Sequence, residues 1–451
     1  MVFDDSIFKA YDIRGIYPDQ LNEEIARLIG AGLVEYLSPP EVYIGRDMRS
    51  SSDSLFHAFA EGITAAGADV VDLGLVSTDG LYFAVGKYSG KAGVMITASH
   101  NPAEYNGFKI CKEGAVPLSG NDGLPEIKEF VSKGIMPTAK AHGAVRKLDI
   151  DMHYTEHCLS FIDIDKIKPF RVAVDAGNGM AGKTLPPIFE RLPITVDRMF
   201  FELDGSFPNH PASPIEPENT RELRELVGNN PSIDLGVAFD GDADRMFLVD
   251  ENGELVGGDI VTALVAQNLL KKYPGETIVY NLICSKAVPG LVERLGGVPI
   301  MTRVGHAYIK PVMRQQNAIF GGEHSGHFYF RDNWFADSGL IAFLVCLELL
   351  SESNKPLSSM ISEIDPYSRS GEINSKVDDR EKTIEKVRDF CENKGWKIET
   401  LDGITIHGDR WWVNLRPSNT EPFIRLNAEA DNPGILKDAV DRILGMVRGS
   451  N

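Results

Sequence analysis

Short apolar runs alternate with amphipathic stretches along most of the chain, and the alternation repeats itself. Val42 to Gly45 reads as a strand, Arg46 to Ser52 as a polar loop, Asp53 to Ala66 as a helix and Ala68 to Leu73 as a second strand. Arg171 to Val174 begins the same series, followed by the Gly-rich loop Asp175 to Gly182, a helix through Leu192 and a strand at Ile194 to Val196. Thr277 to Leu282 begins it a third time, with a helix around Val288 to Leu295 and a strand at Val298 to Thr302. Each copy also carries a later strand–loop–strand: MITASHNP…FKI, VAFDGDADRMFLV and IFGGEHSGHFYF. Three βαβ copies predict three similar α/β domains with mixed, largely parallel sheets. Equivalent loops on such domains are placed to converge on one cleft.

An amphipathic helix from Asn22 to about Leu37 precedes the first copy. The longest apolar run, Leu340 to Leu350, contains Glu348 and is too short to span a bilayer, so it reads as a buried helix. From about Tyr367 the pattern changes to strands at Glu372–Val377, Gly403–His407, Arg410–Leu415 and Phe423–Ala428, with helices at Glu381–Lys394 and about Gly434–Val447. That order predicts a smaller α+β domain, joined through a hinge at Asp365-Pro366. The expected division is 1–150, 151–254, 255–366 and 367–451, arranged around a central cleft.

Length and composition sharpen this picture in three places. A chain of 451 residues exceeds one ordinary core. Five scattered cysteines, none in C-x-x-C spacing, exclude a disulfide framework or zinc site and favour a reducing cytosol, as does an amino terminus without a signal-peptide pattern. The net charge of −19 excludes nucleic acid or an anionic membrane as the main partner. It also means that an anionic substrate needs a local cluster of cations.

The loops carry the candidate chemistry. Gly93 to Ile96 is a strand that ends in Thr97-Ala98-Ser99-His100-Asn101, and Pro102 stops the ladder. Ser99 therefore sits at the carboxyl end of a strand, where open α/β sheets bind ligands. Asn106-Gly107 turns the chain, and Lys109 points back toward the loop. A Ser–His hydrolase fits poorly, because His100, as the next residue, is badly placed to take the Ser99 proton, and no G-x-S-x-G elbow is present. Asp240, Asp242 and Asp244 place three carboxylates at alternate positions after the strand Leu235–Phe239, which suits a hard cation such as magnesium or calcium. An EF-hand is disfavoured, since its sixth position is Arg245 rather than glycine. A D-x-D phosphatase nucleophile is disfavoured by Asp244. In Gly321 to His327, glycines admit close backbone approach, Glu323 and Ser325 suit sugar hydroxyls, and His327 titrates in a range useful for proton transfer. Arg416-Pro417-Ser418-Asn419-Thr420-Glu421-Pro422, with Arg425 beyond, offers donors for a phosphate.

TASHNP followed by NGFK, DGDADR, GEHSGH and RPSNTEP, with YDIRG near the start, resemble in sequence and order the motifs of the α-D-phosphohexomutases, the family that holds phosphomannomutase and phosphoglucomutase. The resemblance spans all four expected domains. It implies that Ser99 carries a phosphoryl group, with His100, Arg14 and Arg245 beside it. It makes Asp240, Asp242 and Asp244 the ligands of one Mg²⁺ per chain, the Ser99 phosphate supplying a further oxygen. His327 and Lys109 become the groups that move the hydroxyl proton. Glu323 and Ser325 take adjacent sugar hydroxyls, His306 touches substrate, and Arg416, Ser418, Asn419, Thr420 and Arg425 hold a phosphate. The implied reaction interconverts hexose 6-phosphate and hexose 1-phosphate through a hexose 1,6-bisphosphate, which also acts as activator. The last domain is expected to move as the intermediate turns round, and the assembly to be a monomer or weak homo-oligomer. His324 departs from the family's usual Met or Gln, whereas Asn419 and the YDIRG segment separate the chain from the glucosamine mutases. A phosphoglucosamine mutase, a phosphatase using Asp240 and a non-catalytic sugar-phosphate-binding protein stay as alternatives.

Overall fold

The computed structural model describes residues 3–137, 139, 141–417 and 423–449. Three sheets share one plan. In the first, Asp69–Leu75, Glu41–Arg46 and Ala92–Ile96 run parallel, and Tyr105–Lys112 returns antiparallel beside the third of them. The second repeats this order with Thr195–Met199, Arg171–Asp175, Leu235–Phe239 and the returning Met246–Val249. The third does so with Val298–Thr302, Thr277–Asn281, Phe320–Gly322 and the returning Phe328–Phe330. The fifth strand differs in origin. Leu255–Val256 and Ala336–Asp337 follow in sequence, whereas the first sheet takes Ile13–Ile16 from the start of the chain.

Period-two burial fixes the layers. Val42 and Ile44 join a cluster with Ile29, Phe56 and Phe59 from the helices Glu23–Leu37 and Ser52–Ala65. Tyr43, between them, packs on the opposite face with Leu81 and Val85 of the helix Thr78–Lys87. That second cluster is continuous through Phe239 and Phe343, so the first three domains share one apolar interior. Within it lies the helix Gly339–Ser353, buried on all sides, with the carboxylate of Glu348 accepting from Asp163 N (2.9 Å), Asn268 Nδ2 (2.7 Å) and Lys272 Nζ. Sequence periodicity placed one helix through Leu192. The structure has two short ones, Ala181–Thr184 and Pro186–Phe189, because Pro186 lacks the N–H that would continue the first.

The last sheet is antiparallel throughout, in the order Ser368–Arg369, Phe423–Ala430, Trp411–Pro417, Ile404–Gly408, Lys397–Glu399, with Ile373–Lys376 also on Phe423–Ala430. The helices Arg380–Asn393 and Pro433–Arg448 cover it. Its core, centred on Val413, Leu415 and Ile443, is separate from the shared interior.

Candidate active site

In each of the first three sheets, the loop between the third parallel strand and its antiparallel return faces the common cleft. The first holds Ser99, which is buried and left-handed at φ 52°. Such a conformation costs a non-glycine residue on the order of 1–2 kcal/mol, so neighbouring bonds must impose it. Ser99 N donates to Thr97 Oγ1 at 2.8 Å. Its Oγ donates to Asp240 Oδ2 at 3.0 Å and lies 3.2 Å from His100 Nδ1 and 3.5 Å from Arg245 Nη2. Adjacency in sequence places His100 badly for an extended chain, but the left-handed turn brings its ring onto the hydroxyl. The charge of Arg245, and then burial, hold the His100 pKa well below that of a free imidazole. Arg14 donates from Nε to Asp12 (2.7 Å) and from Nη1 to Ala98 O (3.3 Å) and Asn101 Oδ1 (2.6 Å), bracing the same loop.

The second loop, 240–245, brings carboxylate oxygens of Asp240, Asp242 and Asp244 within 4.8 Å of one another, all buried. Lys109 Nζ donates to Asp242 Oδ2 (2.7 Å) and Asp244 Oδ2 (2.5 Å), Thr78 Oγ1 to Asp242 Oδ2 (2.5 Å), and Arg245 Nε to Asp240 Oδ2 (2.8 Å). The remaining oxygens Asp242 Oδ1 and Asp244 Oδ1 are buried with no hydrogen-bond partner. Orphaned anionic acceptors in a three-carboxylate cluster are the donor set of a hard divalent cation, so the residues fit one. Burial, with the neighbouring charges of Asp244 and Asp242 and against that of Arg245, pushes Asp240 up to about 7. Burial acts the same way on Asp242, but Lys109 outweighs it and holds that carboxyl well below the usual range. Burial would lower Lys109, yet its two carboxylates raise it. Lys109, expected to move a proton, is held here between two carboxylates.

Gly241 shows how closely the two loops meet. A Cβ there would lie 2.5 Å from Ser99 O. Gly107, behind the serine, is equally confined, since its Cβ would lie 2.1 Å from Ile13 O.

The third loop contributes His327, whose Nδ1 lies 3.0 Å from Asp337 Oδ2 and 3.9 Å from Asp244 Oδ1. Burial opposes its protonation, but Asp244 and Asp337 prevail and raise its pKa. Asp337 in turn pairs with the buried Lys310 at 2.7 Å, whose ammonium also lies 4.5 Å from the Tyr82 ring centre. Glu323 accepts from Tyr329 Oη (2.5 Å), Asn281 Nδ2 (3.1 Å) and Gly305 N (2.8 Å), which leaves it buried and fixed at the cleft wall. Ser325 is half-buried beside it. His324 turns away from the cleft, with Nδ1 4.0 Å from Asp259, the carboxylate that also faces Arg369 at 3.3 Å.

On the far side, Arg416 and Arg425 share Glu372, at 2.7 and 3.4 Å. They line an open cavity of about 810 Å³ with Tyr11, Arg303, Tyr308 and Asp402. Ser418, Asn419 and Thr420 lie outside the described residues, as does the side chain of His306, whose backbone begins the helix His306–Gln316.

Several residues that the sequence did not single out lie against the candidate site residues. Arg49 binds the backbone of the Ser99 loop, Thr78 binds Asp242, and Asp337 with Lys310 backs His327. Arg49 lies in a polar loop, Thr78 at a helix start, Asp337 in a two-residue strand and Lys310 inside a helix, positions that carry no common sequence signal.

Four stretches of the chain match the sequence families described as phosphoglucomutase/phosphomannomutase alpha/beta/alpha domain I (residues 5–151), domain II (152–253) and domain III (257–367), and the C-terminal domain (372–446). A protein named "Phosphohexose mutases" from Xanthomonas campestris pv. campestris is 39% identical over 448 residues, covering 98% of this chain and 99% of that one. A phosphomannomutase of Escherichia coli is 38% identical over 451 residues, covering 98% and 99%. The crystal structure of a phosphoglucomutase/phosphomannomutase family protein from Burkholderia thailandensis superposes with a TM-score of 0.90 at 31% identity, covering 99% of this chain and 98% of that one. With family, relatives and architecture in agreement over nearly the whole length, the chain belongs to the phosphoglucomutase/phosphomannomutase family.

Proposed function

We infer that the chain is a phosphohexomutase that interconverts hexose 6-phosphate and hexose 1-phosphate, with mannose and glucose phosphates as its substrates. The observation that carries this reading is the meeting of the Ser99 hydroxyl with Asp240 and Arg245 of the second domain, at 3.0 and 3.5 Å, beside the adjacent His100 at 3.2 Å. In the resting cycle Ser99 holds a phosphoryl group as its ester. The P–O bond to Ser99 breaks as a sugar hydroxyl bonds the same phosphorus, giving hexose 1,6-bisphosphate and the free serine. After the bisphosphate turns round, Ser99 Oγ attacks the other phosphorus and releases the isomeric monophosphate. Free hexose 1,6-bisphosphate recharges any serine that has lost its ester.

Phosphoryl transfer asks chiefly for alignment and neutralisation of the moving charge. A Mg²⁺ held by Asp240, Asp242 and Asp244 supplies charge stabilisation when bound. Arg14, Lys109 and Arg245 add fixed cations in a water-poor site, which offsets an overall charge of −19. His327, positioned by Asp337, is the group for the sugar hydroxyl proton. Arg416 and Arg425, with the segment between them, take the distal phosphate. Among the described residues no helix is long and apolar enough to cross a membrane, and the scattered cysteines are the argument for a cytoplasmic enzyme.

Coupled assays with mannose, glucose and glucosamine 1-phosphates, together with peptide mapping of phospho-Ser99, test this. Turnover of the first two, with phosphate on Ser99 and no activity in Ser99→Ala, is expected. Full activity in Ser99→Ala, or release of inorganic phosphate as the main product, would overturn it.

A further inference from the structure

Residues 99 to 105 curl around a single guanidinium. Arg49 Nη2 donates to Ser99 O (2.9 Å) and Asn101 O (2.6 Å), and Nη1 to Pro102 O (2.7 Å) and Tyr105 O (2.9 Å). Its Nε donates to Asp47 Oδ2 at 3.2 Å. The fork of an arginine has five N–H donors, and all are used. The Arg49 and Asp47 side chains are both fully shielded from solvent. Asp47 is itself fixed by Arg49 N (3.0 Å) and Ser52 Oγ (2.7 Å), so the cation has a rigid seat.

The second domain presses on this assembly from outside. The Phe207 ring centre lies 5.0 Å from Arg49 Cζ, and a Cβ on Gly205 would come within 2.6 Å of Arg49 Cα. Ser99 O is thereby confined between the guanidinium and Gly241 of the metal loop. With that carbonyl immobilised, the left-handed φ of Ser99 cannot relax, and its Oγ has one direction in which to point.

We propose that Arg49 is the positioning residue that holds the reactive serine in its left-handed conformation through both halves of the reaction. This rests on Ser99 being the phosphoryl carrier. Arg49 acts on the loop through four backbone carbonyls, and its fifth donor is taken by Asp47. Its work is to keep the oxygen in one place while that oxygen alternates between ester and alcohol, states that differ in charge and bulk. Lysine cannot replace it, since three tetrahedral donors do not span four carbonyls that converge on a planar fork.

The test compares wild type, Arg49→Lys and the uncharged pair Asp47→Asn/Arg49→Met. Measured are kcat and KM in the coupled mutase assay, melting temperature, and the single-turnover rate at which hexose 1,6-bisphosphate phosphorylates Ser99. A fall in kcat of about 100-fold is expected, the size that a misplaced reacting atom produces. The phosphorylation rate should fall equally, with KM within about threefold of wild type. Arg49→Lys with kcat within threefold of wild type overturns the proposal. So does a loss that tracks melting temperature and disappears on cooling, because that marks a stability role alone. Should Arg49→Lys not fold, the uncharged pair decides on the same criteria, and an unfolded pair counts against the proposal as a stability role. Wild-type enzyme that never forms phospho-Ser99 would defeat the functional reading itself, whatever the variants do.

Discussion

Lys109 carries the charge balance of the metal loop. Its ammonium sits on Asp242 and Asp244, whose other oxygens accept no hydrogen bond. It repels any divalent cation entering the same cluster while also keeping the carboxylates from repelling one another. Lys109→Met should therefore bind Mn²⁺ about 10-fold more tightly by titration calorimetry, yet lose about 100-fold in kcat because a cation facing the moving phosphoryl is gone. Asp79, which follows Thr78 in the helix that touches the cluster, makes a prediction about pH. Burial pushes it up to about 6 against the hydrogen bonds donated by Ser338 and Ser77, which lower it. The folded protein thus binds a proton that the unfolded chain, at 3.8, has released. Stability attributable to Asp79 is full below pH 3.8 and is lost as pH rises through 6, on the order of 3 kcal/mol in all. Melting temperatures of wild type relative to Asp79→Asn should accordingly fall between pH 4 and pH 7.

At the level of elements, one helix start and one glycine set the spacing of the cleft. Thr78 and Asp79, the first residues of the helix Thr78–Lys87, reach different domains, Thr78 to Asp242 and Asp79 to Ser338. Gly241 lets the metal loop approach Ser99 O. Gly241→Ala must force these backbones apart, and kcat/KM should fall about 100-fold while circular dichroism stays native. The three repeats and their cleft loops were legible in sequence because a buried strand, a polar loop and an amphipathic helix each have their own period. The fifth strand of the first sheet was not, because Ile13–Ile16 lies far from its partner Tyr105–Lys112 along the chain. Ser99 and the three aspartates could be picked out from local motifs. Arg49 and Thr78 could not, since each owes its role to a neighbour at least 50 residues away, and Lys310 could not, since its partner Asp337 lies 27 residues on, beyond any local motif. His100 was misjudged for a related reason: the φ of Ser99 is imposed by tertiary bonds.

Across the whole molecule, the first three domains share an interior while the fourth keeps its own core. The fourth is tied to the third by polar contacts. Asp402 Oδ2 accepts from Val304 N at 3.3 Å, and Arg369 faces Asp259, Asp365 and Glu429. Separate cores joined by ion pairs suit a part that shifts while the remainder stays fixed. Asp402→Ala, which removes a charge-assisted bond at the mouth of the cavity, should raise KM for the hexose phosphate about 10-fold with kcat little changed. Steady-state kinetics over a range of substrate concentrations check this.

The placement of Asp240 on a different domain from Ser99 also bears on how the protein is made. A ribosome delivers the serine well before the carboxylate that orients it, and Ser338, which anchors Asp79, emerges later still. A chain that ends before residue 240 thus carries Ser99 without the carboxylate that accepts from its hydroxyl.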